Sequence, residues 1–160
     1  MIATGIGYDV HRLALDRPLV LGGVRIEHSL GLEGHSDADV LCHAIADALL
    51  GAAGEPDIGH MFPNTDLSIR GISSLDILRK VRMRLDELSV AIHNVDATLI
   101  AEEPRISPHL SAMKENVGKA LGLPVSRVGI KATTNEGMGF PGRGEGMAAL
   151  SSACVQRPEP

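Results

Sequence analysis

The 160-residue sequence contains no tryptophan, and aromatic residues make up only 2% of it. Its core must therefore be aliphatic, packed by Leu, Ile, Val, Ala and Met. Cysteine is also scarce, with only Cys42 and Cys154. Two are too few for a disulfide framework, and they read as small buried hydrophobes in a reducing compartment. No basic stripe interleaved with aromatics occurs, and the formal net charge is −5. That combination argues against a nucleic acid partner. An anionic substrate would have to be held by local cations, backbone amides or metal ions, because the overall field opposes it. The opening run "MIATGIGYDVHRLALD" has no basic region followed by an apolar one, so it does not read as a signal peptide. The most apolar stretch, "VLCHAIADALLGAAG", is broken by His43 and Asp47, so no membrane span is expected. These absences point to a cytoplasmic protein without a membrane partner.

What is present fits one globular domain over residues 1–160. Hydrophobic residues make up 44% and charged residues 22%, a balance that rules out disorder. Residues 2–10 read as a strand. "RPLVLGGVRIE" reads as a hairpin turning at Gly22-Gly23. Residues 35–54 read as a helix capped by Ser36 and ended by Gly51 or Gly54, with Val40, Leu41, Ala44, Ile45, Ala48 and Leu49 as its buried stripe. The Gly-, Pro- and Asn-bearing residues 55–72 read as a long loop of the functional or mobile kind. Further helices are expected over 73–89 and 107–122, the latter capped by Ser107, and strands over 91–101, 127–134 and 146–156. This alternation gives an α/β or α+β domain.

Three constellations could carry chemistry. In "GYDVHRL", Asp9 and His11 sit two apart on a strand, so they share a face. Two ligands need a third. Asp39, His43 and Asp47 recur every four residues and line one helical face, from which His43 could meet Asp9 and His11. Two histidines and one carboxylate leave a fourth position open on Zn²⁺, as a catalytic site requires. The bland alternative leaves Asp39 and Asp47 solvated and His43 at the core edge. Second, "GHSDAD" places His35 and Ser36 at an expected helix N-terminus, which suits phosphate. Third, "KATTNEGMGFPGRGEG" contains a G-x-G-x-x-G by letter. A dinucleotide site is rejected, because Pro141, Gly142, Gly144 and Gly146 forbid the following helix. The loop still offers the Thr133 and Thr134 hydroxyls, a hard oxygen ligand on Glu136 suited to Mg²⁺, and a phosphate clamp in Arg143.

"GYDVHRL", "GHSDADVLCHAIADALLGAAGEPDIGHMFPNTD", "NVDATLIAEEPRISPH" and "KATTNEGMGFPGRGEGMAA" resemble, in order and spacing, the 2-C-methyl-D-erythritol 2,4-cyclodiphosphate synthases. The resemblance runs from about residue 2 to 156. It implies an α+β fold, a single mixed sheet with helices packed on one face, assembled as a homotrimer with active sites between subunits. It also implies a lyase of the non-mevalonate isoprenoid pathway. The enzyme would release CMP as the 2-phosphate of 4-diphosphocytidyl-2-C-methyl-D-erythritol 2-phosphate attacks the β-phosphorus. By the same resemblance Asp9, His11 and His43 hold Zn²⁺, and Glu136 holds Mg²⁺ or Mn²⁺. His35 and Thr134 stabilise the transition state, and Ser36 contacts phosphate. Asp57, Ile58, Gly59, Phe62 and Asp66 fall on substrate positions. Ala101, Pro104, Arg105, Ile106, Ser107, Ala132 and Thr133 fall on the cytidine pocket, and Phe140 and Arg143 on further contacts. Asn64, Arg105 and Ser107 depart from the residues common at these family positions. Residues 61–72 are expected to shield the site from water. The same residues would also serve a plain metallohydrolase or a non-catalytic nucleotide-binding module.

Overall fold

The computed structural model describes residues 1–63 and 65–159, and Asn64 lies outside them. Strand β1 (Ile2–Ala14) extends four residues past the expected end. Its side chains alternate between two environments. Ile2, Ile6, Tyr8 and Val10 face outward and are exposed, whereas Gly5, Gly7, Asp9 and His11 face the covered side.

The main sheet also contains β4 (Gly31–Leu32), β5 (Ala91–Ile100), β6 (Val128–Thr133) and β7 (Gly146–Gln156). Its spatial order is β4-β1-β7-β5-β6. Only β5 and β6 pair in parallel, so the sheet is mixed and the fold α+β, as expected. The expected single sheet is joined by a second, separate ribbon of β2 (Leu19–Leu21) and β3 (Val24–Ile26). Gly22 and Gly23 take φ of +56° and +70° there, the left-handed pair that a tight hairpin requires.

Helix α1 (Val40–Ala53) begins five residues later than expected. Asp39, not Ser36, is its cap, accepting from the Cys42 N–H at 3.1 Å. Ala38, at φ +56°, breaks the helical path before it. Asp39 also accepts from Gly22 N and Gly23 N at 3.0 and 2.7 Å, so it ties the hairpin to the helix. It is fully buried, which overturns the solvated reading, and burial raises its pKa. Gly54, at φ +82°, ends the helix. Every side chain of α1 except Asp47 is buried, so the expected one-sided stripe is replaced by a helix covered nearly all round. The sheet lies on one side and α3 (Ser74–Glu87) on the other.

Ser73 caps α3, and α4 (Leu110–Leu121) packs beside it and against β6. Ser107 makes no capping bond; its hydroxyl accepts from Arg105 Nε at 3.1 Å, and residues 107–109 form a 3₁₀ turn leading into α4. The loop over 55–72 contains the single-turn α2 (Ile58–Met61) and a 3₁₀ turn over 67–69. A one-turn α5 (Gly139–Gly142) forms where proline and glycine were expected to forbid helix. The N–H that Pro141 lacks falls in the first turn, where no helical partner exists to be lost. The core is aliphatic, with Leu21, Leu32, Leu41, Ile45, Leu78 and Met113 fully buried. Among the described residues no helix is long and apolar enough to cross a membrane.

Candidate metal centre and substrate cavities

The covered face of β1 meets α1 through glycine. A Cβ on Gly5 would lie 2.2 Å from Ala48 O, and one on Gly7 would lie 2.0 Å from Ala44 O. No side chain fits there, so helix and strand approach backbone to backbone. That approach brings His43 of α1 onto Asp9 and His11 of β1.

Asp9 Oδ2, His11 Nε2 and His43 Nδ1 form a triangle with sides of 3.0, 3.1 and 3.1 Å. A tetrahedral ion with bonds of about 2.0–2.1 Å needs its ligand atoms about 3.3–3.4 Å apart. A movement of a few tenths of an ångström therefore seats one. The outer ring nitrogens are occupied. His11 Nδ1 donates to the Glu33 carbonyl at 2.7 Å, and His43 Nε2 lies 2.9 Å from Ser74 Oγ and 3.1 Å from Ser36 Oγ. A ligating histidine is held in this manner, with its second ring nitrogen tied to a carbonyl or an outer partner. Two nitrogens and a carboxylate oxygen, with no thiolate, suit a divalent ion that accepts imidazole.

Electrostatics accord with this. Burial acts to raise the Asp9 pKa, but hydrogen bonds and charge from His11 and His43 outweigh it and hold the carboxyl well below the usual range. Burial pulls His11 down, while Asp9 and the Glu33 carbonyl raise it further, for a net upward shift.

The trio opens into a cavity of ≈ 250 Å³ that His35, Ser36, Ile58, Gly59 and Phe62 also line. Sequence reasoning named all eight of these. It missed Gly34, where a Cβ would stand 3.1 Å from His11 Cε1, and the apolar wall of Ile69, Ile72 and Ile77. The expected place of His35 and Ser36 at the α1 N-terminus is corrected, because Asp39 caps that helix and the two residues stand in the loop before it. Arg17 fixes this loop, donating to the carbonyls of Leu32, Gly34 and Ser36 at 3.2, 3.0 and 3.4 Å. Asp47 is no ligand either; it accepts from Ile58 N at 2.8 Å and so anchors α2. Asp57 caps α2, and Asp66 caps the 3₁₀ turn at 67–69 and lines a smaller hollow with His35.

A second cavity of ≈ 590 Å³ lies at the β5–β6 edge. Ala101, Pro104, Arg105, Ile106, Ser107, Ala132, Thr133 and Thr134 all line it. Strands β7 and β5 separate this edge from β1 in the sheet order. Glu136 is exposed, with its N–H 3.3 Å from Thr134 Oγ1, and it joins no cluster of ligating side chains among the described residues. Phe140 lines neither cavity, and Arg143, which pairs with Glu145 at 2.8 Å, lines a further hollow.

Residues 2–156 match the model of the YgbB family. The chain belongs to the YgbB family. Among its relatives is the 2-C-methyl-D-erythritol 2,4-cyclodiphosphate synthase of Akkermansia muciniphila, 62% identical over 99% of this chain and 95% of that protein. Solved structures share the fold closely. The bifunctional IspDF of Campylobacter jejuni superposes with a TM-score of 0.94 at 41% identity, over 99% of this chain and 43% of that one. IspF of Plasmodium falciparum, solved as a CDP complex, superposes with a TM-score of 0.85 at 30% identity, over 99% of this chain and 97% of its own.

Proposed function

We propose that the chain converts 4-diphosphocytidyl-2-C-methyl-D-erythritol 2-phosphate into 2-C-methyl-D-erythritol 2,4-cyclodiphosphate with release of CMP, in the non-mevalonate isoprenoid pathway. The approach of Asp9 Oδ2, His11 Nε2 and His43 Nδ1 to within 3.1 Å of one another carries this reading. In the reaction a 2-phosphate oxygen bonds to the β-phosphorus. The bond from that phosphorus to the bridging oxygen breaks, and the electron pair leaves with CMP.

Both reacting groups are anionic, so the reaction needs positioning and charge neutralisation more than a protein nucleophile. Asp9, His11 and His43 would hold Zn²⁺, and Glu136 would hold Mg²⁺ or Mn²⁺, since such an ion needs only one or two carboxylates beside substrate phosphates. Bound there, the ions supply Lewis-acid charge neutralisation that a chain of net charge −5 lacks. His35 and Ser36, which line the metal cavity, donate hydrogen bonds to phosphate. Asp57, Ile58, Gly59 and Asp66 hold the methylerythritol unit, and Phe62 excludes water. The ≈ 590 Å³ cavity takes cytidine through Ala101, Pro104, Ile106, Ser107 and Ala132, with Arg105 beside its phosphates. Thr133 and Thr134 steady the diphosphate, and Phe140 and Arg143 complete the contacts.

Within one chain the two cavities lie at separate parts of the sheet. This favours a homotrimer in which one copy's metal cavity faces the next copy's cytidine cavity. The bare apolar face of β1, with Ile6 at 79% and Tyr8 at 55% exposure, supplies a surface for assembly. The protein acts in the cytoplasm on a small molecule, with no nucleic acid partner.

Phosphorus NMR of the protein incubated with Mg²⁺ and the diphosphocytidyl substrate tests the proposal. Cyclic diphosphate with CMP is expected. Orthophosphate would establish a hydrolase instead, and unchanged substrate a binding module.

A further inference from the structure

Ser74 is fully buried at the first position of α3, and nothing in the reaction above uses it. Its surroundings explain why a hydroxyl stands there. Asp37 accepts from Ser74 N at 2.9 Å, from Asp39 N at 3.2 Å, and from the Ser74 hydroxyl itself. A carboxylate can only accept, and a serine hydroxyl carries one hydrogen. With that hydrogen given to Asp37, Ser74 Oγ can only accept from His43 Nε2, 2.9 Å away. His43 Nε2 must then carry a ring proton, which leaves Nδ1, 3.1 Å from both Asp9 Oδ2 and His11 Nε2, as the nitrogen that can bind an ion.

We propose that Asp37 and Ser74 form a positioning relay that fixes His43 with Nδ1 as its ligand atom. The inference rests on the reading of Asp9, His11 and His43 as a divalent-cation site. It goes further by assigning two residues that touch neither the ion nor substrate. Ser36 Oγ is also within 3.1 Å of His43 Nε2, but it accepts from Ala38 N at 3.0 Å, is only half-buried, and opens onto the cavity. It is left for phosphate, and the deeper Ser74 does the orienting. Asp37 N also donates to Ile72 O at 3.2 Å, so the relay is anchored to the end of the 61–72 segment.

The same atoms spell Ser–His–Asp by letter. A nucleophilic role is excluded by placement, because Ser74 has no accessible surface and its hydrogen points to Asp37 and not to the imidazole.

Zn²⁺ alone serves as the probe, in competition with a chromophoric chelator. Outer partners of ligating histidines contribute about 10–100-fold in metal affinity. Ser74→Ala is expected to weaken Zn²⁺ binding by about that factor, and Ser74→Thr, which keeps the hydroxyl, to restore it to within about threefold. Ser36→Ala is expected to leave Zn²⁺ affinity within about threefold of wild type. Two-bond proton–nitrogen NMR of the wild-type Zn²⁺ complex is expected to show the His43 proton on Nε2, a readout that needs no variant to fold. Wild-type Zn²⁺ affinity in Ser74→Ala, or a proton on Nδ1, overturns the relay while leaving the metal site standing. Failure of the wild-type protein to bind Zn²⁺ overturns the metal reading and the relay with it.

Discussion

Gly7 and Ala44 touch backbone to backbone: a Cβ added to Gly7 would lie 2.0 Å from the Ala44 carbonyl oxygen. Ala44 adjoins His43, and Gly7 stands two residues before Asp9, so this contact sets the spacing of the candidate metal centre. Gly7→Ala must push α1 outward. We expect a loss of about 1–3 kcal/mol in stability by urea unfolding, as overpacking costs. Zn²⁺ affinity should weaken in the same variant. Unchanged affinity would show that the trio does not depend on the close approach.

His43→Ala should lower Zn²⁺ affinity by more than about 100-fold, beyond what an outer partner contributes. Turnover should vanish, while circular dichroism keeps its helical signal. A variant that cyclises substrate at the wild-type rate would remove His43 from the site.

The pKa shifts give opposite pH responses with and without metal. His11 is raised, so its contribution to stability is complete below its ordinary pKa of 6.5 and is lost as pH rises through the shifted value. Asp9 is lowered, so its contribution is present above 3.8 and is lost only as pH falls through the depressed value. The metal-free protein should therefore lose melting temperature as pH rises above 6.5. The Zn²⁺-loaded protein should gain it over the same range, because the ion replaces the His11 proton. Asp9→Asn should flatten the metal-free response; calorimetry at three pH values checks both signs.

Phe62 is buried and walls the metal cavity together with Ile69 and Ile72. Removing its ring admits water beside the diphosphate. Phe62→Ala should raise the ratio of hydrolysed to cyclic product by about twofold or more, read by phosphorus NMR. An unchanged ratio would rule out shielding by this segment.

Tyr8 of β1 pairs with Leu150 of β7, and both are exposed on the bare sheet face. Tyr8→Asp combined with Leu150→Asp should yield monomers in sedimentation velocity, with turnover lost and Zn²⁺ binding retained. Fully active monomers would disprove a site shared between copies.

How much of this was legible in sequence varied with the physics involved. Asp9 and His11 could be paired because strand geometry places residues two apart on one face. His43 could be joined to them by helical spacing, yet the same spacing offered Asp39 and Asp47, which cap α1 and anchor α2 instead. A carboxylate at a helix start and one on a helix face look alike until the backbone N–H groups around them are placed. Ser74 gave no signal beyond that of a helix start, since its partners Asp37 and His43 lie more than thirty residues away in the chain. Gly5 and Gly7 were hidden inside a β-rich run, where only the packed helix reveals why no side chain is allowed. The cavity proposed for cytidine was reached through the family pattern, because its lining comes from two stretches, 99–110 and 131–134, whose convergence depends on the parallel β5–β6 pairing.

Tyr8 is the only tyrosine in a chain without tryptophan. Intrinsic ultraviolet emission therefore comes almost entirely from one phenol on the open side of the sheet, far from the helical layer. Its intensity and anisotropy should follow dilution if copies assemble through this face, which makes the unmodified chain its own optical gauge of that assembly.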